Sequence, residues 1–265
     1  MKLSATERDT YTRDGWLLRR SVYAEPELEV LRDASEAVVA EVTAAADREE
    51  SGRAFRLDNG QRFQFGRGSL IQWEWREGSR EVRLLEPFSQ LHPRFAALWD
   101  DARLSEPAAG LLEVAAAGPF TCKLNLKRPL EGSEFPWHQD YTYWYARTPE
   151  HAHEIVNAML FLDAASEANG AMRVLPGSHH AGPAPRDRQE ASQFLADPAQ
   201  IETSREVLVE APAGSVLFFP ALLLHRSAPN LSRLPRRAVL LSFQPAGRPR
   251  QELLPWRPER VHELP

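Results

Sequence analysis

The sequence predicts a mainly β fold, a sandwich or barrel flanked by helices. From Pro119 onward, short apolar runs alternate with turn residues: Phe120 to Leu126, Ile155 to Leu162, Ala171 to Leu175, Glu206 to Val209, Ser215 to Phe219 and Ala238 to Phe243. Strands at such spacing belong to sandwiches and barrels. Asn169-Gly170 and Pro176-Gly177 are strong turn signals between them. Helical spacing, by contrast, is confined to the N-terminal part.

In chain order, Thr6 and Asp9 offer a Thr-x-x-Asp cap for a first helix, which Asp14-Gly15 breaks. Trp16 to Leu18 reads as a short strand. Pro26 suits the first turn of a second helix, along which Leu28, Leu31, Val38, Val39 and Val42 recur at helical period. Residues 48–80 lack that period and read as a long loop with one or two strands, the second being Ser69 to Trp75. Pro87 to Ala116 is expected to be helical again, punctuated by Pro93 and Pro107. Residues 181–200 are polar and read as an excursion or lid, and the proline-rich stretch after Pro245 as a surface wrap. One domain over 1–265 is expected, with a helical part to about 117, a β core over about 118–245 and the C-terminal wrap.

The chain's 265 residues are 43% hydrophobic, enough for a sizeable core. A formal net charge of -5 argues against nucleic acid or an anionic membrane surface as partner. Cys122 is the single cysteine, so no internal disulfide is possible, which suits a reducing compartment. No apolar run approaches membrane-spanning length, and the N-terminus lacks an apolar signal core. A cytoplasmic location is therefore expected, with a small molecule as partner.

Chemistry concentrates at Trp137-His138-Gln139-Asp140, which follows the strand-like Cys122 to Lys127. In an extended segment, residues two apart point to one side, so His138 and Asp140 can face one metal. His225, after the apolar run Val216 to Leu224, is the leading third ligand. Two imidazoles and a carboxylate on one face of an octahedron form the ligand set of non-haem Fe(II) oxygenases. If such an oxygenase uses a dicarboxylate co-substrate, the far carboxylate needs a cation, best a guanidinium. Arg236 and Arg237 directly precede the strand Ala238 to Phe243, and alternation turns one inward and one outward. The pair His151/His153, in a polar stretch read as a lid, and the pair His179/His180, after a Pro-Gly-Ser turn, are not taken as catalytic metal ligands, and His92 and His262 read as surface positions.

Several of these stretches resemble the phytanoyl-CoA dioxygenase superfamily, which includes ectoine hydroxylase and bacterial amino-acid and natural-product hydroxylases. The matching pieces are Tyr11 to Leu17, Lys123 to Asn125, Phe135 to Trp144, Asn169 to His179, and His225-Arg-Ser227-Ala-Pro-Asn230 with the trailing Arg236. The resemblance implies a double-stranded β-helix (jelly-roll) core and iron ligands at His138, Asp140 and His225. It implies that Arg236 pairs with the distal carboxylate of 2-oxoglutarate, aided by Ser227 and Asn125, with Asn157 as a further polar co-substrate contact. It also implies O2 as oxidant and, because Asp140 is present, hydroxylation as the default outcome. One departure is Gly214-Ser215, where many members carry Gly-Asp; it touches a turn and not the metal set.

For the substrate, Tyr141, Tyr143 and Trp144 follow the metal motif, while Gln72, Trp73 and Trp75 lie on a candidate strand; Gln139 sits between two ligands. Gln72, Trp73, Gln139, Tyr141 and Trp144 are taken as candidate contacts to an amino acid or natural-product intermediate of secondary metabolism. Competing readings are a cupin-type metalloenzyme with no use for Arg236, a dioxygenase performing desaturation, epoxidation or cyclisation, and a non-enzymatic binding module.

Overall fold

The computed structural model describes residues 2–47, 54–57, 60–76, 78–145, 148–187, 194–251 and 261–263, the last three by backbone alone. In chain order the principal elements are α1 (Ala5–Asp14), β1 (Leu17–Arg19), α2 (Glu25–Asp47), β2 (Ala54–Leu57), β3 (Arg62–Gly66), β4 (Ser69–Trp73), β5 (Val82–Glu86), α3 (Pro93–Ala96) and α4 (Ala102–Leu111). There follow β6 (Ala117–Lys127), β7 (Phe135–His138), α5 (Asp140–Tyr145), β8 (Val156–Phe161), β9 (Met172–Val174), β10 (Val207–Val209), β11 (Val216–Pro220), β12 (His225–Ser227), β13 (Arg236–Pro245) and β14 (Val261–Glu263).

Two antiparallel sheets face each other. The larger has ten strands in the order β1-β11-β8-β13-β6-β5-β4-β3-β2-β14, the smaller four in the order β10-β9-β12-β7. Alternation along β8 shows how the layers are held. Ala158 and Leu160 join the core under the helices with Leu28, Leu31, Val38 and Val42 of α2. Met159 and Phe161 face the other way, into the space between the sheets, with Met172, Val174, Leu217, Phe219 and Leu240. Strands buried on both faces read as continuous apolar runs, which is why these segments show little polar alternation.

Local details differ from expectation in three places. The first helix is capped by Ser4 and not by Thr6: the Glu7 amide donates to Ser4 Oγ at 3.2 Å, and the Ser4 amide donates to Glu7 Oε2 at 2.8 Å. The longer Glu side chain closes this capping box two residues nearer the terminus. Residues 54–86 are not mainly loop; they supply β2 to β5, which widen the larger sheet beyond β6. Their Gly, Arg and Gln content hid strands whose inner faces line a cleft instead of a uniform core. The C-terminal wrap is described only to residue 251 and again at β14, which pairs with β2 at the sheet edge; 252–260 lie outside the described residues.

The resemblance's departure at Gly214-Ser215 forms a working turn. Gly214 has φ 79, and a Cβ there would stand 2.2 Å from the Tyr23 carbonyl oxygen, so only glycine fits. The amides of Val22 and Tyr23 donate to the Gly214 carbonyl, while Ser21 N donates to Ser215 Oγ at 3.3 Å. No described helix is long and apolar enough to cross a membrane.

Candidate active site

The smaller sheet brings the two imidazoles together. His225 of β12 is the register partner of His138 at the end of β7, and their ring centroids lie 4.2 Å apart. Asp140 joins them from a strand-to-helix junction. The β7 strand stops at His138 and Asp140 opens α5, so the pair converges through a turn and not through strand alternation. The ligand atoms of His138, Asp140 and His225 all lie within 4.8 Å of one another, and all three residues are buried.

The second ring nitrogens set the tautomers. His138 Nδ1 lies 2.7 Å from the Pro136 carbonyl oxygen, and His225 Nδ1 lies 3.0 Å from that of Leu223. A carbonyl only accepts, so each Nδ1 carries the proton and each Nε2 keeps its lone pair for a metal. Burial pushes the His138 imidazole down to about 3 and that of His225 in the same direction, so both are neutral at physiological pH. Burial works to raise the Asp140 carboxyl, but the neighbouring Lys123 ammonium and the two imidazoles outweigh it and hold it at about 2. Two neutral imidazoles and an ionised carboxylate are the donor set that Fe(II) requires.

Both carboxylate oxygens of Asp140 are supported. Lys123 Nζ donates to Oδ1 at 2.7 Å and Asn157 Nδ2 to Oδ2 at 2.9 Å; Ser242 Oγ donates in turn to Asn157 Oδ1 at 2.6 Å. Asn157, expected as a co-substrate contact, therefore stands behind the metal-binding carboxylate and is not among the cleft-lining residues.

The neighbouring arginines part as alternation requires. Arg237 turns outward to Asp163 and Glu36, with Nη2 2.8 Å from Asp163 Oδ1. Arg236 turns inward, 2% exposed, and its Nε is buried without a hydrogen-bond partner. Burial lowers its guanidinium to about 10, which leaves it charged at neutral pH. Asn125, Ser227 and Arg236 line one cleft together with His138, Asp140 and His225. A buried guanidinium with no ion pair among the described residues, in the same cleft as a metal triad, fits the far carboxylate of a bidentate dicarboxylate. Asn230 fixes the loop that delivers Arg236: its Nδ2 donates to the Lys127 and Leu234 carbonyls at 3.1 and 2.8 Å.

The cleft holds about 1440 Å³ of empty space, its open mouth included. Gln72 and Trp144 line it as expected. Trp73 does not; it packs into the core under the helices, because a register slip between Gln72 and Trp73 turns it away. Trp75 takes the lining place instead. Gln139 is buried off the cleft and ties the 182–184 backbone, donating to the Gly182 carbonyl at 3.0 Å and accepting from Ala184 N at 2.8 Å. Tyr141 likewise sits outside it, packed with Phe120, Trp144 and Ala152. The polar excursion contributes Phe194 and Leu195 to the wall, with Leu195 bridging to His138; its residues 188–193 lie outside the described residues.

Lys123 and Arg83 are among the lining residues that had no role assigned from sequence. Lys123 shares the inward parity of Asn125 on β6, and that parity was the available signal. Arg83 lies on β5, a strand that residue composition did not reveal.

Residues 11–238 match the phytanoyl-CoA dioxygenase (PhyH) family. The chain is 26% identical over 258 residues to an L-proline trans-4-hydroxylase of Streptomyces griseoviridis, covering 88% of this chain and 83% of that protein. It is 27% identical over 260 residues to an ectoine dioxygenase of Bordetella parapertussis, covering 91% and 75%. Among solved structures, EctD from S. alaskensis with 2-oxoglutarate and 5-hydroxyectoine superposes with a TM-score of 0.70 at 22% identity, covering 92% of this chain and 76% of that one. The carbocyclase SnoK from nogalamycin biosynthesis superposes with a TM-score of 0.63 at 23% identity, covering 92% and 85%. These two likenesses show the shared jelly-roll fold, and the match over 11–238 shows that this chain belongs to the phytanoyl-CoA dioxygenase family of Fe(II)- and 2-oxoglutarate-dependent oxygenases.

Proposed function

We propose that the protein hydroxylates an amino acid or a natural-product intermediate, with His138, Asp140 and His225 holding iron and Arg236, Ser227 and Asn125 holding 2-oxoglutarate. The observation that carries this is the convergence of a buried His-Asp-His triad and a buried, unpaired Arg236 on one cleft. Bound ferrous iron supplies O2 activation coupled to decarboxylation of 2-oxoglutarate to succinate and CO2. The chain's own contribution is positional. The two Nε2 atoms and the Asp140 carboxylate fix the metal on one side of the cleft. Arg236 orients the co-substrate by its far end. Phe135, Tyr143, Trp144 and Phe219 wall the site against water. Asp140 keeps the carboxylate ligand in place, which supports hydroxylation as the outcome. The names of the proline hydroxylase and ectoine dioxygenase relatives support a small organic substrate of this kind.

The test is succinate formation from 2-oxoglutarate with Fe(II), without added substrate, in wild type, His225→Ala and Arg236→Ala. Iron-dependent succinate in wild type and its loss in both variants is expected. Iron binding with no 2-oxoglutarate binding points instead to a cupin-type enzyme.

A further inference from the structure

A second buried guanidinium faces the same cleft. Arg83 sits where β4 and β5 slip by one residue, with Gln72 opposite Leu84 but Trp73 opposite Val82, and it is 2% exposed. Its guanidinium carbon lies 4.4 Å from the Trp75 ring centre and 3.8 Å from that of Phe135, so two aromatic faces fix its plane. Nη1 donates to Ser133 Oγ and Nη2 to the Glu134 carbonyl, whereas Nε is buried without a partner. Among the described residues no carboxylate forms an ion pair with it. The buried Glu74 spends Oε2 on the Ser133 amide and hydroxyl. The charges of Glu74 and Glu134 act on this guanidinium without an ion pair among the described residues, and its Nε is left to receive an anion.

Arg83, Trp75 and Phe135 all line the cleft that reaches His138 and Asp140. The adjoining wall is largely apolar: Phe63, Phe65, Leu70 and Leu84 present one face of the widened sheet, interrupted by Gln72 and, at the Leu70 end, by Glu86.

We propose that Arg83 binds the carboxylate of the substrate, and that the substrate is an organic acid whose apolar body lies against Phe63, Phe65 and Leu70. This rests on the reading that Arg236 holds the co-substrate. It narrows the substrate class to apolar acids and gives the cleft two separate anion sites, one for each reactant.

The probe is 3-phenylpropanoate, compared with its neutral amide 3-phenylpropanamide and with L-proline. Binding is measured by calorimetry on protein loaded anaerobically with Fe(II) and 2-oxoglutarate. The acid is expected to bind wild type at least tenfold more tightly than the amide and more tightly than L-proline. Arg83→Gln should remove the acid's advantage and leave 2-oxoglutarate affinity unchanged. Equal binding of acid and amide to wild type, or binding of neither, overturns the proposal, and this comparison needs no variant. So does a retained preference in Arg83→Gln, tighter binding of L-proline, or a loss of 2-oxoglutarate in that variant. Failure of the underlying reading shows itself separately, as wild type that does not bind 2-oxoglutarate at all.

Discussion

Asn157 Nδ2 donates to Asp140 Oδ2 at 2.9 Å, and Asn157 is itself oriented by Ser242 on the neighbouring β13. The metal-binding carboxylate is thus aimed from the larger sheet, although the two imidazoles stand on the smaller one. Groups that orient a ligand are worth about 10–100-fold in metal affinity. Asn157→Ala should weaken iron binding by about that factor while leaving the 2-oxoglutarate affinity of the remaining iron-loaded protein near wild type. Equilibrium dialysis with Fe(II), followed by co-substrate titration, checks both.

Arg236 and Arg237 are adjacent in sequence and opposite in consequence. Arg236→Gln should raise the 2-oxoglutarate KM by two orders of magnitude or more with little loss of thermal stability, since it removes a buried charge that makes no ion pair among the described residues and whose Nε has no hydrogen-bond partner. Arg237→Gln breaks the paired contacts with Asp163 and Glu36 and should cost about 1–3 kcal/mol of stability with KM unchanged. Steady-state kinetics and melting curves on the two variants separate these outcomes.

Lys127 gives a pH dependence of known sign. Burial, with Arg236 and Arg83 nearby, pushes its ammonium down to about 6, and Nζ donates to the Ser133 and Ala228 carbonyls at 2.6 Å each. Between about pH 6 and the ordinary lysine value of about 10.4, the unfolded chain binds a proton that the folded chain does not. This residue's contribution to stability therefore rises with pH across that window and is at its lowest below pH 6. Lys127→Met should be less stable than wild type, with a gap wider at pH 9 than at pH 6.5. Chemical denaturation at the two pH values measures it.

Gly214→Ala should destabilise the fold by more than about 2 kcal/mol. It forces a left-handed backbone onto a side chain and drives its Cβ toward the Tyr23 carbonyl oxygen. A thermal shift of less than a degree contradicts this.

Much of the site was legible because its residues lie in compact local motifs. His138 and Asp140 are two residues apart, and His225 and Ser227 of β12, Asn230 of the following loop and Arg236 at the start of β13 fall within twelve residues. The inward direction of Arg236 also followed the two-residue period once β13 was recognised. The distant partners were not legible. Lys123 and Asn157 meet Asp140, and Ser242 meets Asn157, only through the register of β6, β13 and β8, which no local pattern encodes. Trp73 and Arg83 depend on a one-residue slip between β4 and β5, and such a slip reverses which side chains face the cleft. Gln139 seemed to belong with its two neighbours, but the chain turns from strand to helix there, and its side chain leaves the cleft to tie the 182–184 backbone.

The most direct test is anaerobic calorimetry of Fe(II) binding to wild type and His225→Ala. Wild type should take up one ferrous ion per chain and then one 2-oxoglutarate, and His225→Ala should lose tight iron binding while keeping the wild-type fold by circular dichroism. Undiminished iron affinity in that variant would contradict the metal site on which the functional reading depends.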